Sequence, residues 1–311
     1  MARKVKLILN PMADMGHAWQ AANDLRPIVI EHGGADWSGT VYPTHATELA
    51  KQAGLDGYDL VIAMGGDGTV HEVINGLMQV PAGQRPALGV VPIGSGNDFA
   101  FAAGIAPEPD RALVNALTGV SAPIDLGLLT DERGRQEYFD NTIGIGFDTV
   151  VTIRSHQLPL LRGFLMYFVA VIQTILMNHN PAGMQIETDG EKWELENLML
   201  VVCNGPREGG GFMIAPAAKV DDGILEYMLV RKVGRAMMFR LLPEFMRGTH
   251  ESFPQIKKGS CKKLALSSDR PLYIHADGEI YTDFGSNLRS VTMEILPGAL
   301  RLVRGQPEAS K

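Results

Sequence analysis

At 311 residues the chain is long enough for two domains, each with a core of its own. Its net charge of −7 argues against a nucleic-acid binder, which would present a basic face, yet allows a local basic or apolar patch to touch a membrane. Cys203 and Cys261 lack metal-ligand spacing and read as buried free thiols of a cytoplasmic protein.

Val5–Leu9 reads as a first strand, too short for a signal sequence and without a cleavage site. The polar turn Asn10 to Gly16 leads into a helix from about Ala18 to His32. Thr40–Tyr42 reads as a second strand, and Thr47–Ala53 as a helix with Ala46, Leu49, Ala50 and Ala53 on one face. Asp59 to Met64 is an apolar run bounded by turn residues, hence a buried strand. Gly65-Gly66-Asp67-Gly68-Thr69 follows, then a helix whose Val70, Val73, Ile74 and Leu77 share one face. Thr69 and Glu72 have capping-box spacing. Pro86–Val91 is a further strand, closed by Gly94-Ser95-Gly96-Asn97-Asp98. Strands alternating with helices predict a doubly wound α/β domain, with both glycine loops at the carboxyl ends of parallel strands.

The pattern changes near Ser121. Short strands then predominate, at Tyr138–Thr142, Met184–Thr188, Asn197–Cys203, Gly223–Leu229, Lys263–Ser267, Leu272–His275 and Val291–Leu296. They predict an antiparallel β sandwich. The expected domains are therefore residues 1–122 and 123–303, with the tail 304–311 free to return to the first. Two helical inserts interrupt the second domain, at about Leu160–Asn178 and Arg235–Met246. The uninterrupted apolar stretch of the first, Phe164 to Ile172, lies between Arg162 and Gln173 and is far short of the ~20 residues that span a bilayer. It reads as a buried or groove-lining helix that touches lipid only where exposed. Arg154, Arg162, Arg231, Lys232, Arg235, Arg240 and Arg247 cluster around the inserts, either as a face for anionic lipid or as ordinary solvated charge.

Four constellations carry chemistry. The Gly65–Thr69 turn, between a strand and a helix, offers backbone N–H groups and a helix N-terminus to phosphate. Asp67 would be repelled there unless a cation intervened, so it reads as a ligand of Mg²⁺ or of its water. The second loop adds more donors, with Ser95, Asn97 and Asp98; Asn97 and Asp98 also suit a helix N-cap. Two such loops suit a nucleotide polyphosphate. Asp277-Gly278-Glu279 is an acidic turn, able to give a base near an alcohol and a ligand near the metal, in either order. Lys219 to Ile224, containing Asp221-Asp222-Gly223, reads as a cation site or as a β-turn. No P-loop, protein-kinase catalytic loop, zinc cluster or GxSxG elbow is present.

Taken together, these motifs resemble the catalytic domain of diacylglycerol and sphingosine kinases. The resemblance rests on Gly65–Thr69 running into Glu72–Leu77, on Gly94–Ala100, on Asp140-Asn141 with Gly144–Asp148, and on Gly210-Gly211, Pro216 and Lys219–Gly223. Asp277–Glu279 and Leu296–Leu300 complete it, so the match spans nearly the whole chain. Soluble bacterial lipid kinases of the diacylglycerol type are the nearest likeness. The GGDGT element is shared with NAD kinases and phosphofructokinases, which implies a Rossmann-like nucleotide domain. The resemblance implies ATP and Mg²⁺ as cofactors and a site in the cleft between the α/β and β-sandwich domains. It implies that Asn10, Pro11 and the residues on to Asp14, then Thr40, Gly65, Gly66, Asp67, Gly68, Thr69, Val70, His71, Ser95 and Asn97 contact ATP. Asp67, Asp98, Asp125 and Glu279 would form the catalytic Mg²⁺ network, Asp277 and Glu279 the catalytic pair. Lys219, Asp222 and Ile224 would hold a structural Mg²⁺.

The chain departs from the family pattern at Asp14, a negative charge near the phosphates, and at Thr44, where glycine is usual. Ser95-Gly96 follows the sphingosine-kinase spelling and Asp98-Phe99 the diacylglycerol-kinase one. The expected activity is phosphorylation of a lipid hydroxyl, that of diacylglycerol foremost, at a membrane surface without a transmembrane segment. A homodimer is compatible with this. The alternatives are a kinase of a sphingoid base or of NAD, although the NAD-kinase acceptor motif is absent, and a regulator that binds nucleotide or lipid without catalysis.

Overall fold

The structure is a computed structural model that describes residues 3–158, 161, 163–178 and 180–305. The expected helix start at Leu160, Arg162 of the basic cluster and the tail from residue 306 lie outside the described residues. The chain forms two units, Met1–Ile124 with Gly298–Lys311, and Asp125–Pro297.

In the first unit, β1 (Val5–Leu9), β2 (Asp36–Gly39), β3 (Leu60–Gly65) and β4 (Ala87–Pro92) form a parallel sheet in the order β2-β1-β3-β4. Leu302 of the chain's last strand pairs in parallel with Leu88 at the far edge. Helices α1 (Ala18–Glu31), α2 (His45–Leu55), α3 (Asp67–Leu77), α4 (Asp98–Ala102) and α5 (Pro109–Thr118) connect the strands. Every residue of β3 and β4 is buried, which is why both read as continuous apolar runs rather than alternating ones. The strand order reverses between β1 and β3. The turns after β1, β3 and β4 therefore lie at the carboxyl edge where open α/β sheets take ligands.

Two local readings are corrected. The second strand is Asp36–Gly39, not Thr40–Tyr42, because Lys6–Leu9 pair with Asp36–Gly39. Thr40 N–H still donates to Leu9 O at 2.9 Å, but Val41 is 79% exposed and Tyr42 instead stacks on His45. The capping box does not form either. Gly66 caps α3, and the Glu72 carboxylate accepts from Thr44 N–H (2.8 Å) and Ala46 N–H (3.0 Å) at the start of α2. Thr44 itself has φ +70°, so it cannot present a capping side chain to its own helix.

The second unit contains most of β5 (Val120–Asp131), then β6 (Gln136–Phe139), β7 (Thr142–Gly146), α6 (Phe147–Ser155), α7 (Gly163–Met177), β8 (Ala182–Thr188) and β9 (Lys192–Cys203). β10 (Arg207–Glu208), β11 (Phe212–Met213), β12 (Leu225–Arg231), α8 (Arg235–Arg247), β13 (Ile256–Cys261), β14 (Lys263–Ser268), β15 (Ile274–Ala276), β16 (Glu279–Thr282) and β17 (Ser290–Arg304) follow. β17 crosses from the second unit to the first at Pro297–Gly298. The antiparallel order is β16-β15-β7-β9-β8-β14-β17, with β12 on β9 and β13 on β12.

Strand periodicity divides this unit into two cores. Leu200 and Val202 of β9 and Leu225, Tyr227 and Leu229 of β12 enter the core closed by the strands. Met199, Val201, Cys203, Met228 and Val230 face the opposite way, into a second core beneath α6, α7 and α8. Cys261 lies in the first core and Cys203 in the second; both are free, buried thiols. The expected single strand Tyr138–Thr142 is split in two at Asp140-Asn141, where the backbone turns its N–H groups to another partner. Helix α6 was not expected from the sequence. No helix among the described residues is long and apolar enough to cross a membrane.

Candidate active site

The first unit brings three predicted turns together. Asn10, after β1, donates through Nδ2 to Thr69 Oγ1 at 3.1 Å, and its Oδ1 accepts from Met12 N–H. The two glycine loops touch. A Cβ on Gly94 would fall 2.4 Å from Gly66 Cα, and one on Gly65 would fall 2.3 Å from Thr69 Oγ1. Only glycine allows this approach, and the result is a cradle bounded by backbone. Thr69 N–H and Val70 N–H both donate to Gly66 O and so are used within the turn.

Asp67 Oδ1 accepts from Phe99 N–H at 3.1 Å, which ties the first loop to the start of α4. Asn97 is left-handed at φ 52°, and its side chain bridges Gly94 twice, accepting from its N–H and donating to its carbonyl. Thus Asn97 shapes the second loop and does not cap α4 through its side chain. Ser95 is exposed, whereas Asp98, Val70 and His71 are buried. Asp14 is exposed, and its carboxylate lies 3.7 Å from His17 Nδ1. Pro11 and Thr40 are half-buried beside these turns.

In the second unit the register of β15 on β7 sets the acidic turn. Ala276 pairs with Ile143, and Asp277 N–H then donates to Thr142 O at 2.8 Å. Asp277 and Gly278 are both left-handed, at φ 51° and 86°. The Asp277 carboxylate accepts from Asp140 N–H (3.0 Å), Asn141 N–H (2.9 Å) and Thr142 N–H (2.9 Å), which fixes its orientation. Glu279, two residues on, is exposed.

Asp125 is joined to the acidic turn's partners through Asn204, whose Nδ2 donates to Asp125 O at 3.1 Å and to Asp140 O at 2.8 Å. Asp125 Oδ2 accepts from Gly223 N–H at 2.6 Å, and Asp125 N–H donates to Val220 O at 2.7 Å. The structure therefore joins Asp125 to the Lys219–Ile224 turn, a pairing the sequence reading did not make. Asp222 there is exposed and accepts from Ile224 N–H at 3.2 Å, while Lys219 is exposed.

Sequence reasoning missed a buried cluster behind the acidic turn. His275 Nε2 lies 2.9 Å from Asp148 Oδ2, and Tyr167 hydroxyl donates to Asp148 Oδ1 at 3.0 Å. Thr142 hydroxyl donates to Glu208 at 3.2 Å, and Glu208 lies beside Asp148 and His275, with an oxygen or ring nitrogen of each within 4.8 Å of the others. Burial pushes the Asp148 carboxyl up. The His275 ring and the hydrogen bonds from His275, Glu208 and Tyr167 outweigh burial and hold it below the usual carboxylate range. Burial, then the charges of Asp148 and Glu208, push the Tyr167 hydroxyl far above its ordinary value. The available signal was the Gly144–Asp148 motif with His275 just before the acidic turn.

Asp148, Glu208 and Tyr167 are the polar members of a pocket otherwise lined by apolar side chains of α6, α7, α8 and the strands beneath. These include Val171, Ile175, Phe212, Met238 and Leu242. The cavity itself is a narrow apolar slot of about 60 Å³.

Known proteins share this fold and its two domain signatures. The diacylglycerol kinase catalytic domain matches residues 4–129, and the YegS C-terminal NAD kinase beta sandwich-like domain matches residues 141–304. A diacylglycerol kinase of Bacillus subtilis is 34% identical over 237 residues, covering 75% of each chain. One from Mycobacterium tuberculosis is 28% identical over 305 residues, covering 97% of this chain and 95% of its own. A crystal structure of a diacylglycerol kinase from Bacillus anthracis has the same fold, with a TM-score of 0.74 at 22% identity over 98% of this chain and 97% of that one. A Rossmann-like nucleotide fold followed by a β sandwich, with both domain signatures in order along one chain, makes this protein a member of the diacylglycerol kinase family of lipid kinases.

Proposed function

We propose that the chain transfers the terminal phosphoryl group of ATP to the primary hydroxyl of diacylglycerol, giving phosphatidic acid. One observation carries the choice of a lipid acceptor. The polar wall of the apolar pocket is hydrogen-bonded to the acidic turn, through Asp148 to His275 and through Glu208 to Thr142. An amphiphile whose chains widened this narrow slot would thus present its hydroxyl towards Asp277–Glu279. The Asp148 carboxylate is already hydrogen-bonded to His275 and Tyr167, which favours a neutral alcohol over the ammonium of a sphingoid base.

The first unit is the donor domain in this reading, and the second unit holds the lipid. Asn10, Pro11, Thr40, the Gly65–His71 turn, Ser95 and the loop shaped by Asn97 would hold ATP. The contact of Gly66 with Gly94, which a Cβ would prevent, gathers both glycine loops at one place, where a phosphate chain would meet them. Asp67, Asp98, Asp125 and Glu279 are the hard oxygen donors that Mg²⁺ takes, and the ion would neutralise phosphate charge. Asp125 would also steady the Lys219–Asp222–Ile224 turn proposed for a structural Mg²⁺, through its bond to Gly223. The Asp277–Glu279 turn supplies the proton acceptor for the lipid hydroxyl. Holding donor and acceptor in one geometry supplies most of the rate.

The same reading needs a lipid surface. Helix α7 carries no charged residue from Gly163 to Met177, yet Leu165, Leu176 and Met177 are exposed. On α8, exposed Phe239 and Met246 each stand beside an exposed arginine, Arg240 and Arg247. Apolar side chains set among cations suit an anionic bilayer.

The test is transfer of labelled phosphate from ATP across a panel of diacylglycerols, sphingoid bases and NAD, with Asp277→Asn and Glu279→Gln alongside. Phosphatidic acid as the main product, lost in at least one variant, is the expected result. Transfer to NAD alone, or ATP binding without transfer to any lipid, would overturn it.

A further inference from the structure

We infer that Tyr167, Asp148 and His275 form a positioning relay that holds the Asp277–Glu279 turn from behind and joins it to the apolar pocket. The inference rests on the assignment of that turn to the transfer step. It begins at Gly278. Two successive left-handed residues, Asp277 and Gly278, make a turn that a non-glycine residue enters only under constraint. The Asp277 carboxylate constrains one side. On the other, Gly278 N–H donates to His275 Nδ1 at 3.3 Å.

That bond assigns the imidazole. A ring nitrogen that accepts an N–H carries no proton, so His275 must bear its proton on Nε2 and donate it to Asp148 Oδ2. Asp148 is buried in turn and held by Tyr167, whose ring lines the pocket. The carboxylate therefore selects the tautomer that accepts from Gly278, as a buried carboxylate does for the histidine of a hydrolase triad. The approach is close enough to dictate sequence elsewhere. A Cβ on Gly144 would fall 2.0 Å from Asp148 Oδ2 and 2.1 Å from His275 Nε2.

No member of the relay is required to touch the transferred phosphoryl group. Its role is to keep the turn in its left-handed conformation, and to pass a change at the pocket wall to the turn through three hydrogen bonds. Loss of the relay should therefore lower turnover more than it weakens binding of ATP or lipid.

The experiment has a part that needs no variant and no activity. ¹⁵N NMR of histidine-labelled wild-type protein reads the His275 tautomer, and amide exchange reads protection of Gly278 N–H. The Nε2–H form with a protected amide is expected; an Nδ1–H form or an unprotected Gly278 would overturn the relay. Kinetics of folded variants supply the rest. His275→Leu should lower kcat about 100-fold while KM for ATP and for lipid stays within about twofold, as a misplaced reacting group does. His275→Asn, which keeps an acceptor near the Nδ1 position, should recover about tenfold of that loss, and Asp148→Asn should shift the tautomer. Equal kcat for His275→Leu and His275→Asn would overturn the relay, as would a tautomer unchanged in Asp148→Asn. Wild-type protein that phosphorylates no lipid would instead overturn the proposed function and leave the NMR result to decide the relay.

Discussion

Gly94→Ala tests whether the two glycine loops build the donor site by their close approach. The new Cβ would fall 2.4 Å from Gly66 Cα and 2.8 Å from Asn97 Oδ1. Carbon atoms rest at about 3.5–4.0 Å, so the loops must part by about 1 Å or more. Asn97 cannot yield cheaply, because it holds Gly94 N at 3.0 Å and Gly94 O at 2.8 Å. A displacement of about 1 Å at a site that positions a reacting group costs about 100-fold, or about 2.7 kcal/mol. Gly66→Ala is the graded partner. Its Cβ would lie 3.2 Å from Gly94 Cα, so a shift of a few tenths of an ångström relieves it and the loss should be about tenfold or less. Gly83→Ala has nothing within 4 Å and serves as the neutral control. The assays are ATP binding by calorimetry and kcat/KM for ATP, with circular dichroism to confirm that each variant is folded. Wild-type ATP affinity in folded Gly94→Ala would refute the argument that the loop contact shapes the site.

Three further outcomes follow from the same structure. Glu72→Ala removes two charge-assisted bonds and a favourable charge from the start of α2; amide exchange in Ala46–Lys51 should quicken by the equivalent of about 1–3 kcal/mol, and unchanged exchange would return Glu72 to its own helix. Burial raises the Asp131 carboxyl, but N–H donors at Arg133 and Arg135 and the Tyr281 hydroxyl outweigh it and hold the group below its usual value. A depressed native value stabilises fully above the unfolded Asp value of about 4 and is lost as pH falls through the native one, so the deficit of Asp131→Asn in denaturant melts should be largest near neutral pH and close below about pH 4. Burial pushes the Cys261 thiol up to about 12 and Cys203 well above its ordinary value, so neither should react with a maleimide at neutral pH until the chain is denatured.

Much of the fold was legible because its signals are local. The apolar runs of β3 and β4, the glycine turns after them and the change to short alternating strands near Ser121 all lie within windows of a few residues. Boundaries failed where a distant partner decided them. Thr40–Tyr42 has strand propensity, but the pairing of β1 with Asp36–Gly39 chose the register. Tyr138–Thr142 reads as one strand, but the Asp277 carboxylate, some 135 residues away, takes the N–H groups that would continue the ladder.

The same division explains what was read at the site. Asp67, Asp98, Asp277 and Glu279 could be recognised as carboxylates beside glycines because that pattern is contiguous. Their partners could not, because a carboxylate is satisfied by whichever donors the fold leaves unmet. Glu72 had the spacing to cap its own helix, yet α2 begins at a left-handed Thr44 that cannot cap itself, so its unmet N–H groups drew Glu72 across. Asp148 is the strongest instance. In the sequence it is one acidic residue after Phe147; in the structure the His275 ring of β15 and the Tyr167 hydroxyl of α7 converge on it, and an apolar pocket ends at the same point. A buried charge is tolerated only with such a set of partners. The demand for those partners is what links helices α6 and α7 to the acidic turn.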